Sequence, residues 1–205
     1  MKISYAITVC NEIEEIQRLV NTLNEHKREE DEIVILFDNK NGSWDVEQYL
    51  TSIAGDIKVL SSAFENHFAD WKNYLTGYCT GDYIFQIDAD EYPSEDLIQN
   101  LPEMLELNPE MDIFLVPRVN TVEGLTPEHI AKWGWNVTDT GWVNWPDFQW
   151  RIWRNVPEIK WINKVHERLD GFKTYTLLPD VEYFALHHPK TIERQEKQNN
   201  YYDTL

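Results

Sequence analysis

The sequence predicts an α/β fold in which a mostly parallel sheet is flanked by helices. In the first half of the 205-residue chain, short apolar segments alternate with segments whose apolar residues recur at helical spacing. This alternation is typical of a parallel sheet covered on both faces. The second half is richer in aromatic residues and less regular, and no clear linker separates the halves. We predict one domain over residues 1–205, with a regular half at 1–110 and an irregular half at 111–205.

The elements of the first half follow from their apolar patterns. Strands are predicted at residues 3–9, 32–37, 57–60 and 83–87, and helices at 70–78 and 94–107. Another helix is predicted to begin at Asn11, where Glu14 completes a capping-box pattern and apolar residues continue at helical spacing to Leu23. Pro102 lies inside the last predicted helix and disfavours it.

The second half is predicted to be mainly β-structure. A strand at 113–116 is followed by aromatic-rich segments of β character at 148–154, 159–169 and 181–188. The basic segment from Lys190 to Lys197 is predicted to form a short helix or a mobile tail.

The composition excludes several classes of partner. The chain carries 36 acidic against 18 basic side chains, a formal net charge of −18, so its surface repels nucleic acids and anionic membranes. Cys10 and Cys79 lie in apolar stretches without a CxxC pattern, which predicts buried free thiols in a reducing compartment. Asn11 and Glu12 come too early for a signal peptide, and no run of 18 apolar residues exists. We expect a soluble cytoplasmic protein without a transmembrane segment.

Three carboxylates, Asp88, Asp90 and Glu91, follow the strand predicted at 83–87. Ligands of open α/β sheets bind beyond the carboxyl ends of the strands. In an extended segment, side chains two residues apart point to the same side, so Asp88 and Asp90 are predicted to face one site. Two oxygen donors of this kind suit Mg²⁺ or Mn²⁺ and leave coordination positions for phosphate oxygens.

Three other interpretations fit this acidic cluster less well. An EF-hand loop needs Gly and Glu where this chain has Pro93 and Gln99. A phosphatase with an aspartate nucleophile usually carries its D-x-D after the first strand. The third interpretation is that the acids stabilise the start of the next helix, but Ser94, Glu95 and Asp96 already fill that role.

Seven short motifs are spread over most of the chain. They are T-V-C-N-E at 8–12, the acid Asp38 after the second strand, W-K-N at 71–73, I-D-A-D-E at 87–91, Q-W-R-I-W-R at 149–154, V-H-E at 165–167 and L-H-H-P at 186–189. None is specific alone, but together they resemble the family 2 glycosyltransferases of the GT-A fold. V-H-E and the late histidines are most similar to a bacterial and viral subgroup that resembles lipopolysaccharide-core glucosyltransferases.

The resemblance implies that residues 1–110 bind a nucleotide-sugar and that 111–205 bind the acceptor. By resemblance, the residues that surround the base and ribose are Thr8, Asn11, Glu12, Asp38, Lys72, Asn73 and Asp88. Asp90 would hold a metal bound to the diphosphate, and Glu91 would support the site from behind. Asn39 stands where the family commonly has a second acid, which leaves the details of base recognition open.

Direct transfer with inversion needs one positioned base that takes the proton of the acceptor hydroxyl. Glu167 follows a strand-like segment, and the resemblance places it near the acceptor, so it is the first candidate. Asp147 in W-P-D-F is the second candidate. The structural alternative for Glu167 is a surface acid that pairs with Arg168 or Lys164.

A late histidine is predicted to complete the metal site. His187 and His188 end the last strand-like segment before Pro189, and GT-A enzymes often gain a late histidine ligand. Of the two we favour His187. Because imidazole is a softer ligand than carboxylate, it favours Mn²⁺ over Mg²⁺. His166 is an alternative group for the acceptor site.

Several cations are candidates for binding the diphosphate. Lys190, Arg194 and Lys197 follow each other at three- to four-residue spacing, so one helical face is predicted to carry all three. The alternative is an ordinary solvated face. Arg151 and Arg154 differ in parity along one strand, and we predict that Arg151 faces the site.

Tryptophans are concentrated in one part of the second half. Seven of the nine are Trp133, Trp135, Trp142, Trp145, Trp150, Trp153 and Trp161. Large rings with a polar edge suit the faces of sugars. The segment 132–147 mixes such rings with Gly, Asn, Asp and Thr, so it is predicted to form part of the acceptor site. The alternative is a loop held in place by buried indoles.

Residues and resemblance together predict a metal-dependent, inverting glycosyltransferase. It would move a sugar from a nucleotide-sugar donor, UDP-glucose or a related UDP-sugar, to a hydroxyl of a glycan acceptor, with Mn²⁺ or Mg²⁺ as cofactor. A nucleotidyltransferase of a related fold usually carries a glycine-rich loop after the first strand, where this chain has no glycine. A non-catalytic carbohydrate-binding domain leaves I-D-A-D-E unexplained.

Overall fold

The computed structural model describes residues 1–202, with side chains described as far as Asn199. The first half alternates strands and helices: β1 Ile3–Val9, α1 Ile13–His26, β2 Glu32–Asp38, α2 Trp44–Ile53, β3 Lys58–Ser62, α3 Phe68–Thr76, β4 Tyr83–Asp88, β5 Tyr92–Pro93 and α4 Glu95–Leu107. The second half contains β6 Ile113–Val116, β7 Arg118–Glu123, α5 Pro127–Trp133, β8 Gln149–Arg154, β9 Lys160–Ile162, β10 Arg168–Asp170, β11 Tyr175–Leu177, a 3₁₀ helix at Glu182–Phe184, β12 Leu186–Thr191 and α6 Ile192–Tyr202.

The main sheet contains seven strands in the order β11-β6-β8-β4-β1-β2-β3. β4, β1, β2 and β3 pair in parallel, and so do β6 and β11. Of these seven strands, β8 alone runs antiparallel to its neighbours, β4 and β6. The mostly parallel sheet with its flanking helices confirms the predicted α/β fold class.

Alternating side chains of the central strands build a core on each face of the sheet. Tyr5 and Ile7 of β1 pack in a cluster with the apolar sides of α1, α2 and α4. Ala6 of the same strand belongs to the opposite cluster, with Trp71 of α3 and Trp161 of β9. Because both faces are covered, the central strands are buried on both sides and mostly apolar, with Ser4 and Gln86 as buried polar exceptions.

The carboxyl ends of β1, β2 and β4 meet at one edge of the main sheet. A three-stranded sheet in the order β5-β12-β7 begins there, because β5 directly follows the acidic segment at the end of β4. β12 pairs His187 with Tyr92 of β5 and His188 with Asn120 of β7. Residues more than 60 positions apart in the sequence therefore meet beside the acidic segment.

Two predicted helix starts are wrong. The helix after β1 begins at Ile13, and its N-cap residue is Glu12 without a side-chain capping bond. The Glu12 carboxylate instead accepts hydrogen bonds from the backbone N–H groups of Cys10 and Asn11, at 2.9 and 3.0 Å. The last helix begins at Ile192, so Lys190 lies on strand β12 and not on the predicted basic helical face.

Two predicted strand segments are only partly correct. The segment 159–169 is divided into β9 and β10, which form an antiparallel pair. The segment 181–188 begins with the 3₁₀ helix, and the strand starts at Leu186. The helix predicted at 94–107 is present as α4, and Pro102 does not interrupt it.

Cys10 and Cys79 are both free thiols, as predicted, but they are half-buried rather than buried. Burial raises the pKa of each thiol to about 12.

None of the helices in the described part of the chain is both long and apolar enough to cross a membrane.

Candidate active site

A cavity of about 990 Å³ opens at the carboxyl edge of the main sheet. Most of the predicted site residues line it: Thr8, Asn11, Glu12, Asp38, Lys72, Asp88, Asp90, Asp147, Arg151, Glu167, His188, Lys190 and Arg194. Two predicted site residues, Asn73 and His187, are not among the lining residues. The fold therefore brings side chains from both halves of the sequence into one space.

Asp88 ends β4 and is held by four polar neighbours. Its Oδ1 accepts hydrogen bonds from Thr8 Oγ1 and Gln86 Nε2, both at 2.9 Å, and its Oδ2 accepts from Arg151 Nη2 at 2.8 Å. The Lys72 ammonium lies 3.6 Å away. Burial alone would raise the pKa of Asp88, but the charges of Arg151 and Lys72 and the hydrogen bonds hold it well below its usual range. The carboxylate is therefore ionised and fixed in direction.

Glu91 lies behind Asp88, as predicted, with 1% of its surface exposed. Its Oε1 accepts from Arg151 Nη2 at 2.7 Å and from Arg118 Nη1 at 2.8 Å, and its Oε2 accepts from the backbone N–H of Asp88 at 3.2 Å. Two guanidinium groups thus compensate the buried charge and tie the acidic segment to β7 and β8.

Arg151 lines the cavity, whereas Arg154 points away from it, as their difference in parity predicts, and donates to the backbone carbonyls of Pro109 and Met111. Arg151 uses its Nη groups for Gln86, Asp88 and Glu91. The expectation that Arg151 binds the ligand directly is therefore corrected, because its guanidinium is occupied in orienting the carboxylates.

Asp90 and His188 lie side by side in the wall of the cavity. His188 Nε2 lies 3.2 Å from Asp90 Oδ2, and His188 Nδ1 lies 2.8 Å from Asn120 Oδ1. Asn120 uses its Nδ2 group to donate to Asp147, so its Oδ1 is left as an acceptor for a proton on His188 Nδ1. In neutral His188 the lone pair of Nε2 then points toward Asp90.

This donor pair fits a divalent cation. Two ligands bound to one ion at a right angle, each at about 2.1 Å, lie about 3 Å apart, close to the observed 3.2 Å. Burial would raise the pKa of Asp90, but a protonated His188 at hydrogen-bonding distance and the charge of Lys190 hold it below its ordinary value. Among the described residues no group of three His, Cys, Asp or Glu side chains gathers around one point.

His187 points elsewhere, so the preference for it over His188 is wrong. Its ring stacks on Tyr92 with the centroids 5.0 Å apart and the planes 14° apart. Successive residues of strand β12 alternate in direction, and the alternation places His188 beside Asp90. The sequence alone does not show which parity faces the cavity.

The two candidate bases differ in how many of their lone pairs are used. Glu167 lies in the turn between β9 and β10, where Asn163 and His166 have positive φ angles of 78° and 53°. Its Oε1 accepts from Lys72 Nζ at 2.7 Å, and 18% of its side chain is exposed. Glu167 therefore reaches the cavity with a single described hydrogen bond, so the alternative that it pairs with Arg168 or Lys164 is not what the structure shows.

Asp147 accepts four hydrogen bonds. Its Oδ2 accepts from Arg118 Nε at 3.0 Å, from Arg118 Nη2 at 2.6 Å and from Asn120 Nδ2 at 2.8 Å, and its Oδ1 accepts from Gln149 Nε2 at 2.8 Å. Burial would raise the pKa of Asp147, but the charge of Arg118 and these hydrogen bonds lower it. Such a carboxylate is a weak proton acceptor.

The cationic rim of the cavity comes from β12 and α6. Lys190 donates to Gln198 Oε1 at 2.5 Å. Arg194 donates to Glu15 Oε1 at 2.7 Å, and its Nη2 lies 3.4 Å from both Glu12 Oε1 and Asp90 Oδ2. Lys197 also lines the cavity. The three predicted cations do gather, although not on one helical face.

Asp38 lines the cavity but shapes a loop instead of offering a free carboxylate. Its Oδ1 accepts from the backbone N–H groups of Lys40 at 3.0 Å and Phe64 at 3.1 Å, and its Oδ2 accepts from Asn41 Nδ2 at 2.8 Å. The carboxylate therefore positions the two loops that follow β2 and β3. Its position in the cavity wall agrees with the predicted place of Asp38, and contact with the base stays a prediction.

Asn73 is a structural residue. Its Nδ2 donates to the carbonyl of Trp161 at 2.8 Å, and its Oδ1 accepts from the N–H of Trp161 at 2.9 Å. This pair of bonds joins α3 to β9, so the predicted role of Asn73 beside the ribose is not supported by its position.

The seven clustered tryptophans differ in their surroundings. Trp153 and Trp161 are buried, with their rings edge to face at 5.5 Å. Of the seven, Trp135, Trp150 and Trp161 line the cavity. The remaining rings pack against each other or against neighbouring side chains: Trp133 on Trp135 and Trp142 on Trp145. Within the segment 132–147, for which an acceptor site is predicted, Trp135 is the tryptophan that lines the cavity, and acceptor binding there stays a prediction.

Sequence reasoning missed Arg118, Asn120 and Gln149, which line the cavity and orient Glu91, His188 and Asp147. A signal was present, because Arg118 and Asn120 lie two residues apart and so share one side of β7. The pairing of β7 with β12, which brings them to the site, is a long-range feature that the local pattern does not reveal.

Solved structures of TarS from S. aureus share this fold. TarS 1–349 in complex with UDP-GlcNAc matches with a TM-score of 0.65 and 16% identity, covering 93% of this chain and 59% of that chain. TarS 1–349 alone matches with a TM-score of 0.63 and 14% identity, covering 92% and 60%. The chain thus spans about 60% of the length of these TarS structures. No curated protein matches the sequence significantly.

The family comparison covers most of the chain. The model of glycosyl transferase family 2 matches residues 4–177, from β1 through β11. The match includes the acidic segment after β4 and both candidate bases. The chain therefore belongs to glycosyl transferase family 2, and its fold is the GT-A fold.

Proposed function

We propose that this protein transfers a sugar, with inversion, from a UDP-sugar to a hydroxyl of a glycan acceptor. The observation that carries the proposal is the acidic segment Asp88–Glu91 at the end of β4, where Asp90 and His188 face each other in the cavity. UDP-glucose is the predicted donor, and the UDP-GlcNAc bound to the structural neighbour TarS supports the wider class of UDP-sugars.

The donor would lie across the carboxyl ends of β1 and β4. Thr8, Asn11 and Asp88 line this part of the cavity, and Asp88 is ionised and directed by Arg151. A carboxylate with a fixed direction suits a ribose hydroxyl, which donates its proton to a positioned acceptor. Lys190 and Arg194 also line the cavity, and Arg194 brings positive charge to 3.4 Å from Asp90, where a diphosphate needs it.

Asp90 and His188 are the residues that would hold a divalent cation. With two protein ligands, the remaining coordination positions are left for phosphate oxygens and water, as is usual for Mg²⁺ and Mn²⁺ sites beside phosphates. When bound, the cation would stabilise the negative charge that develops on the departing diphosphate.

Glu167 remains the first candidate for the base. One oxygen of Glu167 accepts a hydrogen bond from Lys72. In Asp147 both oxygens accept hydrogen bonds, from Arg118, Asn120 and Gln149. A base needs a free lone pair within reach of the acceptor hydroxyl, so the hydrogen bonding favours Glu167. Trp135 and Trp150 are the aromatic surfaces that the acceptor would meet.

A thermal-shift experiment with UDP-glucose, UDP-GlcNAc and UDP, each with and without Mn²⁺, tests the proposal. A ligand at one hundred times its Kd adds about 2.7 kcal/mol of stability. For a chain of this size that corresponds to a rise in Tm of about 5–10 °C. We expect this rise with UDP-sugars, and we expect it to depend on Mn²⁺.

Asp90→Asn is the variant for this test. Without ligand it should melt somewhat below the Tm of the wild type, because the contacts of Asp90 with His188 and Arg194 lose a charge, and it should lose the Mn²⁺-dependent shift. Asp56→Asn, at an exposed position in the turn before β3, removes the same charge and should keep the shift. A wild-type protein that shows no Mn²⁺-dependent shift with any of the three ligands would refute the proposed function.

A further inference from the structure

One guanidinium group is shared by three carboxylates at the rim of the cavity. Arg194, in the first turn of α6, donates to Glu15 at 2.7 Å, and its Nη2 lies 3.4 Å from both Glu12 and Asp90. Glu15 lies on α1, and Glu12 directly precedes that helix. Arg194 is thus a positive charge already placed beside Asp90.

One of the three contacts of Arg194 is shorter than the other two. The contact with Glu15 is a short, charge-assisted hydrogen bond, whereas the contact with Asp90 is 0.7 Å longer (3.4 against 2.7 Å). A guanidinium that leaves Asp90 therefore keeps a strong partner on α1. Arg194 has an alternative position available without becoming unpaired.

Arg194 and a divalent cation compete for the same carboxylate. A guanidinium and a divalent ion a few ångströms apart repel each other strongly, because they carry like charges in a partly buried site. A diphosphate changes this balance, because it offers the guanidinium a new bidentate partner on the same side of the cavity. The position of Arg194 should therefore depend on whether the donor is present.

We propose that Arg194 is the resident counter-cation of Asp90, which competes with the divalent cation in the donor-free protein and moves to the diphosphate when donor and cation bind together. This inference rests on the proposed function for the diphosphate. Since Arg194 lies in the first turn of α6, this helix would carry the side chain that changes position when the donor binds. It also requires that cation and nucleotide strengthen each other's binding by the same factor.

The test measures Mn²⁺ binding to the donor-free protein through the electron paramagnetic resonance signal of free Mn²⁺. In Arg194→Met the competing charge is gone, so the affinity for Mn²⁺ alone should rise about fivefold, the effect of one partly exposed ion pair. The affinity for UDP in the presence of Mn²⁺, measured by calorimetry, should fall in the same variant. A purely structural role of Arg194 predicts no rise in the affinity for Mn²⁺ alone.

Two further variants separate the local competition from general charge effects. Arg18→Met removes the same charge from a guanidinium that lies 4.3 Å from the ring of Tyr92, and it should leave Mn²⁺ affinity unchanged. Glu15→Gln removes the closest partner of Arg194, so the guanidinium stays on Asp90 and Mn²⁺ should bind more weakly. The difference between Arg194→Met and wild type should persist in about 1 M NaCl, where the Debye length is about 3 Å.

The outcomes distinguish this inference from the proposed function. If Mn²⁺-dependent UDP binding is present but Arg194→Met binds Mn²⁺ alone no better than wild type, the inference is wrong and the proposed function stands. If no variant binds Mn²⁺ with or without UDP, the metal site is wrong and the inference falls with it. If Arg194→Met does not fold, as judged by circular dichroism, unchanged or tighter Mn²⁺ binding by Glu15→Gln overturns the inference.

Discussion

The ammonium group of Lys72 lies 2.7 Å from Oε1 of Glu167, a residue 95 positions further along the chain. The same ammonium lies 3.6 Å from Asp88, and from there opposite charges alternate across the floor of the cavity. The series runs Glu167, Lys72, Asp88, Arg151, Glu91, Arg118 and Asp147. The two candidate bases are thus the two ends of one ionic network that contains the donor-site carboxylate Asp88.

The two ends of this network should respond differently to neutralisation. We predict that Glu167→Gln lowers the transfer rate by about 10²–10⁴-fold, the usual contribution of a general base, with UDP affinity changed little. The rate is measured as acceptor-stimulated UDP release, with the acceptor found first by screening glycans. UDP affinity is measured by calorimetry in the presence of Mn²⁺.

Asp147→Asn is the matched comparison. It leaves the charge of Arg118 with one carboxylate partner fewer, so it should lower the free energy of unfolding. Its effect on the transfer rate should be smaller than that of Glu167→Gln. If Asp147→Asn abolishes transfer while Glu167→Gln remains active, then Asp147 is the base and Glu167 only positions Lys72.

His188 and His187 form a second matched pair. His188→Gln removes a nitrogen that faces Asp90, so the Mn²⁺ concentration needed for half of the UDP-induced thermal shift should rise about tenfold or more. His187→Gln loses the stacked contact with Tyr92 and should cost about 0.5–1.5 kcal/mol in stability without changing the Mn²⁺ requirement. An equal Mn²⁺ requirement in both variants would remove His188 from the metal site.

Local patterns in the sequence predict the parts of this site that depend on one strand. The apolar run before Asp88 predicts β4, and the two-residue period of a strand predicts that Arg151 and Arg154 point to opposite sides. The same reasoning fails where the outcome depends on a distant partner. The choice between His187 and His188 depends on the register of β12 against β5 and β7, which are separated from it by more than 60 residues.

Competing hydrogen bonds explain the other differences between sequence and structure. Asn73 and Asp38 stand at positions where the family resemblance implies ligand contacts. In the structure, the side chain of Asn73 is hydrogen-bonded to the backbone of Trp161. The carboxylate of Asp38 accepts hydrogen bonds from the backbone N–H groups of Lys40 and Phe64. A motif identifies the residue type at a position. It does not show which donors or acceptors the folded backbone brings beside it.

Arg151 should be among the most important residues for stability. It is 4% exposed, and its removal leaves Asp88, Glu91 and Gln86 without a shared donor. Breaking a buried ion pair by removing one partner costs about 3–5 kcal/mol, so we expect a loss of that size for Arg151→Met in urea unfolding.

Arg154→Met is the control on the same strand. Arg154 is partly exposed and donates to two backbone carbonyls, so its loss should cost about 1 kcal/mol. Similar losses in the two variants would show that the ionic network contributes little beyond ordinary strand packing.

Glu32 should make the stability of the fold sensitive to acid. Its carboxylate accepts from Lys2 Nζ at 2.8 Å, Ser4 Oγ at 2.5 Å, and Thr80 N–H and Oγ1 at 2.6 and 2.9 Å, which joins β1, β2 and the turn before β4. Burial would raise the pKa of Glu32, but these hydrogen bonds lower it from 4.5 to about 2. The group therefore stabilises the folded state fully above pH 4.5, and this contribution is lost as the pH falls from 4.5 toward 2.

We predict that Glu32→Gln costs about 1–3 kcal/mol at pH 6, because several donors lose a charged acceptor. The difference from wild type should shrink steadily below pH 4.5, since protonation removes the same charge from the wild-type protein. Urea unfolding at pH 6, 5, 4 and 3 measures it, with Glu29→Gln, an exposed neighbour in the turn before β2, as the control. A difference between Glu32→Gln and wild type that stays constant down to pH 3 would mean that the hydrogen bonds, and not the carboxylate charge, hold these strands together.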